Sequence, residues 1–310
     1  MSATDFQTLV HLFLYPGGLF LMAGGLLYNW IDRKLVARFQ NRIGPRWFQP
    51  LADIVKLLAK EEVVPTTLNR WLFIGLPIVA LAGGMTASLY VPLFGLPPAY
   101  SFPGDLIVTL YLLSLLTLSA GLAGWNTTSR FSLVGAQRTL TQLFAYEAPF
   151  LLALLGPALV ARSWEIRQIL VVVKSEPWMI LSQPIGFIIA LIGLMGKVEM
   201  PPFVAPEAET EIVAGALTEY SGRGLALFHL GKAVELIVGL TLVAAFYLGG
   251  FTNPLDFLIK TLLLLVLMAG LQTLLTRLRI DQTVGLWWRY GALLVLLQWV
   301  VLIAWKGMGL

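Results

Sequence analysis

Cysteine is absent from the 310 residues, and histidine occurs twice. The first absence excludes disulfides, thiolate zinc sites and any iron–sulfur cluster ligated by this chain. The second leaves His11 and His229 as the one pair from which a bis-histidine haem could be built, and neither sits in a haem-like context. Charge is scarce too: 12% of residues are Asp, Glu, Lys or Arg, against about 25% in ordinary soluble domains. No segment is of low complexity, since the 29 Gly and 17 Pro are scattered. No internal repeat of roughly 20–50 residues appears, nor the inverted half-to-half symmetry of many transporters.

What fills the chain instead is apolar. Hydrophobic residues make up 58% of it, and the mean hydropathy is +0.81. So few charges cannot cover a soluble body of this size. A water-soluble enzyme is excluded, and an all-α integral membrane protein is expected. Any redox cofactor then belongs to partner chains.

Eight apolar runs approach the length of about 20 residues that a helix needs to cross a bilayer. They cover about 9–31, 71–94, 105–124, 134–160, 179–196, 225–249, 255–274 and 286–305. Each is predicted to be a transmembrane helix, because a spanning segment must satisfy its own backbone polar groups. Residues 1–310 are read as one membrane domain. The loops following the first, third, fifth and seventh runs, with the adjoining helix ends, hold 16 of the 21 Lys and Arg. The positive-inside bias then puts those loops in the cytoplasm and both termini outside. The pI near 9.3 is thus a matter of topology, and no basic tract alternates with exposed aromatics as nucleic-acid binding would require.

The inside loops 32–70 and 197–224 are far longer than a helix hairpin needs. Asp53–Lys60 alternates as an amphipathic interfacial helix, Ile54, Leu57 and Leu58 on one face and Asp53, Lys56 and Lys60 on the other.

Three features exceed what a helical bundle needs. Glu147 lies mid-run, where an ionised carboxylate costs about 2.5–3.5 kcal/mol on insertion scales. It is either a proton-path group or a protonated carboxyl packed against a neighbouring helix. Residues 197–222 carry Glu199, Glu207, Glu209, Glu211 and Glu219, interleaved with Ile212, Val213 and Leu217. Pro206 is predicted to start a helix at Glu207, placing Glu207 and Glu211 on one face. The segment reads as a re-entrant lining of a wet cavity, the alternative being a solvated acidic loop. Lys232 and Glu235 are three apart on the sixth run, hence neighbours; they form either an internal ion pair or a second relay stage. His229 is expected to be a packed or interfacial histidine. Carboxylates and lysines inside a membrane imply ion movement.

The residues also match a known pattern. Asp32-Arg33-Lys34, Arg38-Phe39-Gln40-Asn41-Arg42-Ile43-Gly44-Pro45 and Gln49-Pro50-Leu51-Ala52-Asp53 resemble the first inside loop of the complex I membrane component called NADH dehydrogenase subunit 1. Gly124–Ser129, Gly135-Ala136-Gln137-Arg138 with Tyr146-Glu147, the acidic strings 206–209, 211–215 and 218–222, and Arg279-Ile280-Asp281-Gln282 with Trp287-Trp288 resemble its later signatures. The resemblance runs from about residue 28 to 300. It implies a subunit with no cofactor or metal of its own and no catalytic residue, joining an iron–sulfur-bearing peripheral arm to ion-pumping membrane subunits, antiporter-like ones among them. It implies coupling roles for Glu147, Glu207, Glu209, Glu211 and Glu219; from the residues themselves, Glu199, Lys232 and Glu235 are expected to join that path. Docking or cavity-lining roles fall to Asp32, Arg33, Arg38, Arg42, Gly44, Pro45 and Asp281.

Departures from the pattern sharpen it. The insert that quinone-reducing members carry between the Gly-Pro turn and Gln-Pro is cut to Arg46-Trp47-Phe48. Lys197, Met200 and Val204 occupy places where those members have an acid, an arginine and an aspartate, and Lys232 replaces another acid. The string Glu199-Met200-Pro201-Pro202-Phe203 looks instead like relatives in membrane-bound nickel–iron hydrogenases and their sulfur-reducing cousins, which take electrons from ferredoxin. Partners with iron–sulfur clusters and, in hydrogenase-type members, a nickel–iron centre are implied. Three readings stay open: a hydrogenase-type coupling subunit, a quinone-reducing complex I subunit with an unusual loop, and a stand-alone cation transporter. The last fits least, because repeats are missing and the long charged loops suit a soluble partner.

Overall fold

A computed structural model describes residues 13–14, 17–66, 68–175 and 179–307, without the side chains of Glu209 and residues 305–307. His11 and the start of the 9–31 run lie outside the described residues. Among those described there is no strand; the chain is helical.

The helices are α1 (Gly18–Phe39), α2 (Gln49–Ala59), α3 (Arg70–Ala87), α4 (Asp105–Trp125), α5 (Arg130–Ala161), α6 (Ile166–Ser175), α7 (Met179–Ser182), α8 (Pro184–Lys197), α9 (Glu209–Ile212), α10 (Gly222–Tyr247), α11 (Pro254–Leu274), α12 (Ile280–Leu286) and α13 (Ala292–Gly307). A π-helical turn, Trp287–Gly291, joins the last two into one rod. Their starts follow local chemistry. Pro50, Pro184 and Pro254 stand in first turns, where the missing N–H costs nothing. The Asn69 side chain accepts from Trp71 N at 3.0 Å to cap α3.

Among the described residues, six helices are long and apolar enough to cross a membrane: α3, α4, α5, α10, α11 and the α12–α13 rod as Ile280–Ala304. The two other runs are occupied differently. α1 carries Asp32, Arg33, Lys34 and Arg38 over its second half. The 179–196 run is broken at Gln183-Pro184, leaving α8 with 14 residues, or about 21 Å. The 71–94 run also ends early as a helix, at Ala87, and a separate 3-10 turn at Leu93–Gly95 follows Pro92. The predicted interfacial helix is α2, slightly longer than 53–60.

α10 is the axis of the bundle. Of its most apolar stretch 83% is buried, against 33% for α11 and for the α12–α13 rod, whose outer faces present Ile259, Val266, Leu297 and Val300. The outer helices thus show lipid-facing surface, while α10 is enclosed by α1, α2, α3, α8 and α11. Close approach depends on small residues. A Cβ at Gly25 of α1 would stand 2.6 Å from the Ala233 carbonyl oxygen of α10.

Candidate functional site

The acidic segment 198–221 folds back onto the N-terminal halves of α5 and α10. Gly135 of α5 permits this, since a Cβ there would lie 2.3 Å from Ala216 N. Gly215 has φ +58°, a conformation suited to glycine, and its own Cβ position lies 2.0 Å from the Pro206 carbonyl oxygen. Gln142 of α5 donates to the carbonyls of Gly196 (3.1 Å) and Phe203 (2.9 Å), fixing the hairpin that contains the cis peptide Pro201-Pro202.

Three ionic groups result. In the innermost, Lys197 has a fully buried side chain. Its Nζ lies 3.3 Å from Glu147 Oε2 and 3.9 Å from Glu235 Oε1. The rings of Tyr146 and Phe150 flank that ammonium at 5.6 Å, a cation–π arrangement favoured where water is excluded. Ser114 of α4 donates to Glu147, and Tyr146 and Thr117 share a hydrogen bond of 3.2 Å. Neither oxygen of Glu235 has a hydrogen-bond partner among the described residues.

In the second group, Lys232 donates to both Glu199 and Glu207. Burial pushes the Glu199 carboxyl up, with Lys232 opposing and Glu207 adding to the rise. Burial also acts upward on Glu207, but the Lys232 ammonium outweighs it and holds that carboxyl below the usual range. Glu199 has φ +57°, a conformation costing about 1–3 kcal/mol for such a residue. It lets residues 197 and 199 face two different ionic groups. Glu235 feels the charges of Glu199 and Lys232 as well as those of Lys197 and Glu147, so the two groups communicate electrostatically.

The third group is at the surface. Glu211 accepts from Arg138 at 2.7 Å and pairs with Arg277 at 3.0 Å. Those two bonds hold its carboxyl below the ordinary value. Glu211 therefore staples the acidic segment to α5 and to the α11–α12 connection.

This placement revises several sequence expectations. No helix starts at Glu207: α9 is a single turn from Glu209, and Glu207 and Glu211 go to different partners. Lys232 and Glu235 are adjacent on α10 but do not pair with each other. Glu219 is half-buried and forms no ion pair among the described residues, and the Glu209 side chain lies outside them. Lys197, read from the sequence only as a departure from a pattern, stands at the centre of the inner group. Ser114, which supports that group, carries no signal in the sequence, and Arg138 stands there only as one letter of a motif.

The expected docking residues gather at the same end. Asp32 is buried and accepts from Gln272 at 2.9 Å, and Gln272 also reaches the Met200 sulfur at 3.4 Å. Gly44 has φ +73°; Lys34 donates to Ile43 O and Trp30 to Pro45 O, shaping the turn. Arg38 and Arg42 are exposed beside it, with Ile43 and Trp47 projecting outward. Arg33 pairs loosely with Asp53 at 3.9 Å, and Asp281 with Arg279 at 3.7 Å. A cavity of about 330 Å³ lies between α1, α2 and α10, lined by Leu26, Arg33, Asp53, Ile54 and His229 among others. Among the described residues, no three His, Asp or Glu gather as metal ligands would.

The sequence model of the NADH dehydrogenase family matches residues 13–304. The chain belongs to the NADH dehydrogenase family. Relatives within that family include the NADH-quinone oxidoreductase H subunit of Dehalococcoides mccartyi, 33% identical over 294 residues covering 91% of this chain and 83% of the relative. The chain of the same name from Syntrophotalea carbinolica is 36% identical over 295 residues, covering 88% and 89%. Among solved structures, the chain is similar to one in the membrane-bound sulfane sulfur reductase, an archaeal respiratory membrane complex. The TM-score is 0.85 over 97% of this chain and 99% of that one, at 23% identity, a likeness of fold. The buried lysine–carboxylate groups of this NADH dehydrogenase family member thus sit in a multi-pass membrane fold.

Proposed function

We propose that this chain is the membrane-anchor and coupling subunit of a complex-I-like respiratory complex of the hydrogenase type. In that reading it docks an iron–sulfur-bearing peripheral arm, whose clusters and any nickel–iron centre belong to partner subunits, and abuts antiporter-like membrane subunits. Ferredoxin-driven electron transfer in the partners is linked to proton or sodium translocation through this chain's carboxylates. The chain sits in the cytoplasmic membrane with eight spans, α1 and the α7–α8 pair supplying the two beyond the six long ones, and with both termini outside.

The observation that carries the reading is the series Glu207–Lys232–Glu199 and Glu235–Lys197–Glu147–Ser114. It leads from the acidic surface segment into the bundle. Such groups are costly in a bilayer and are kept where charge moves. What the chain does is hold lysines and carboxylates within 4 Å of one another, in a medium where changing one charge alters its neighbours strongly. The 46–48 connection and Met200, which takes Gln272 where related chains have an arginine, support a complex without a quinone channel.

One observation favours a second reading, a quinone-reducing complex I subunit: the cavity between α1, α2 and α10. Purification in mild detergent with identification of co-purifying subunits and metals tests the proposal. Hydrogenase-like and iron–sulfur subunits, with activity from a ferredoxin-type donor indifferent to quinone-site inhibitors, are expected. A retained quinone or low-micromolar inhibition would establish the second reading instead.

A further inference from the structure

At the opposite end of the bundle from the acidic segment lies a second cavity, of about 340 Å³. α3, α5 and α10 all reach that end with their C-termini, and α6 lies across it. The buried side of α6 is Ile166, Ile169, Leu170 and Val173. Its outer side carries Arg167, Val171 and Lys174, spaced four and three residues apart and therefore on one face. Arg167 and Lys174 line the cavity together with Leu96, Pro97, Val171 and Phe251.

Two features set this place apart. Neither cation has an ion-pair partner among the described residues, whereas neighbouring Lys260 is satisfied by Asp256 at 2.9 Å and Gly250 O at 2.7 Å. The cavity also has the surroundings of a membrane–water boundary. Trp164, Tyr100 and Phe102 are partly exposed at the same end, as aromatic residues are at a membrane–water boundary, and Leu255 and Ile259 begin a lipid-facing surface beside it.

We propose that this cavity is a binding site for an anionic phospholipid. The phosphate is taken between the Arg167 guanidinium, which can donate two parallel bonds, and the Lys174 ammonium. An acyl chain lies on Leu96, Val171 and Phe251. The charge of the cavity selects against zwitterionic lipids, and its apolar wall selects against a bare anion. Nothing in this assignment depends on the ion-coupling site.

The test uses the full chain, purified in mild detergent with whatever subunits accompany it and then stripped of lipid by detergent exchange. Phosphatidylglycerol, phosphatidylcholine and inorganic phosphate are titrated separately, with retained lipid read by native mass spectrometry and stability by thermal unfolding. Phosphatidylglycerol should be retained and should raise the unfolding temperature above the other two. Each cation near an anionic lipid surface is worth about fivefold in affinity, so R167Q/K174Q should weaken retention roughly 25-fold. Should that variant not accumulate, R167K/K174R keeps both charges and must keep the preference for phosphatidylglycerol. Equal retention of phosphatidylcholine, full stabilisation by inorganic phosphate alone, an unchanged R167Q/K174Q or loss of preference in R167K/K174R would each overturn the assignment.

Discussion

Lys232 and Glu235 stand one turn apart on α10 and turn away from each other: Lys232 binds Glu199 and Glu207, while Glu235 faces Lys197. The segment 197–199 mirrors this, giving its lysine to the group that holds Glu235 and its glutamate to the group that holds Lys232. Two short stretches are thus cross-paired. The Lys197 group and the Lys232 group each contain one lysine and two carboxylates, so each carries an excess acid that a single proton can neutralise.

Glu147→Gln removes that excess from the inner group while keeping shape and hydrogen-bonding capacity toward Ser114. Assembly should remain intact and ion uptake into proteoliposomes should fall at least tenfold, about 1.4 kcal/mol on the pathway. Electron transfer should slow with it if the two are tightly coupled. Glu61→Gln, at an exposed position beyond α2, should change uptake little. Wild-type uptake by an assembled Glu147→Gln protein would reduce the carboxylate to a helix contact.

Lys197→Met should be among the most destabilising changes in the chain. It leaves the buried Glu235 and the half-buried Glu147 without their cation, a loss of up to about 3–5 kcal/mol for a broken buried pair. Adding Glu147→Gln should recover part of that, with a coupling energy of about 1–3 kcal/mol in the double-mutant cycle. Thermal or denaturant unfolding in detergent measures it; strictly additive effects would show that the 3.3 Å contact is energetically idle.

The Glu211 staple has a definite pH sign. Its carboxyl is held below the ordinary value of 4.5 by Arg138 and Arg277. The folded form therefore gains from the charged group above that value and loses the gain as pH falls through the lower, folded one. Amide exchange of residues 205–217 should be slow at neutral pH and accelerate in acid, whereas Glu211→Gln should be loosened already at neutral pH. Identical protection in both proteins at neutral pH would count against the staple.

Because the chain has no cysteine, single cysteines introduced at Arg46 and Arg223 report topology without background. In intact cells a membrane-impermeant maleimide should leave both unlabelled, and permeabilisation should expose Arg46→Cys. Labelling from outside would invert the orientation.

Hydropathy alone locates the long helices, because burial in lipid demands uninterrupted apolar length: 105–124 and 255–274 fall within a residue or two of α4 and α11. It misjudges ends set by backbone chemistry, as at Gln183-Pro184 and after Ala87. The carboxylates are visible through their cost, but their partners are not. Periodicity joins Lys232 to Glu235 and Glu207 to Glu211, whereas tertiary contacts across 25 to 73 residues separate them. Lys197 draws notice only through comparison with related chains, since one lysine at a helix end resembles an ordinary positive-inside residue.

The enclosure of α10 bears on how the protein is made. This helix carries two ionisable side chains, each costing about 2.5–3.5 kcal/mol at the centre of a bilayer, and it has little surface to offer lipid. Among the described residues, every ion-pair partner of those side chains lies earlier in the chain: Glu199 and Glu207 for Lys232, Lys197 for Glu235. Synthesis proceeds from the N-terminus, so these partners leave the ribosome before α10 does. Reversing that order, by circular permutation that places α10 first, would ask the insertion machinery to accept both charges bare.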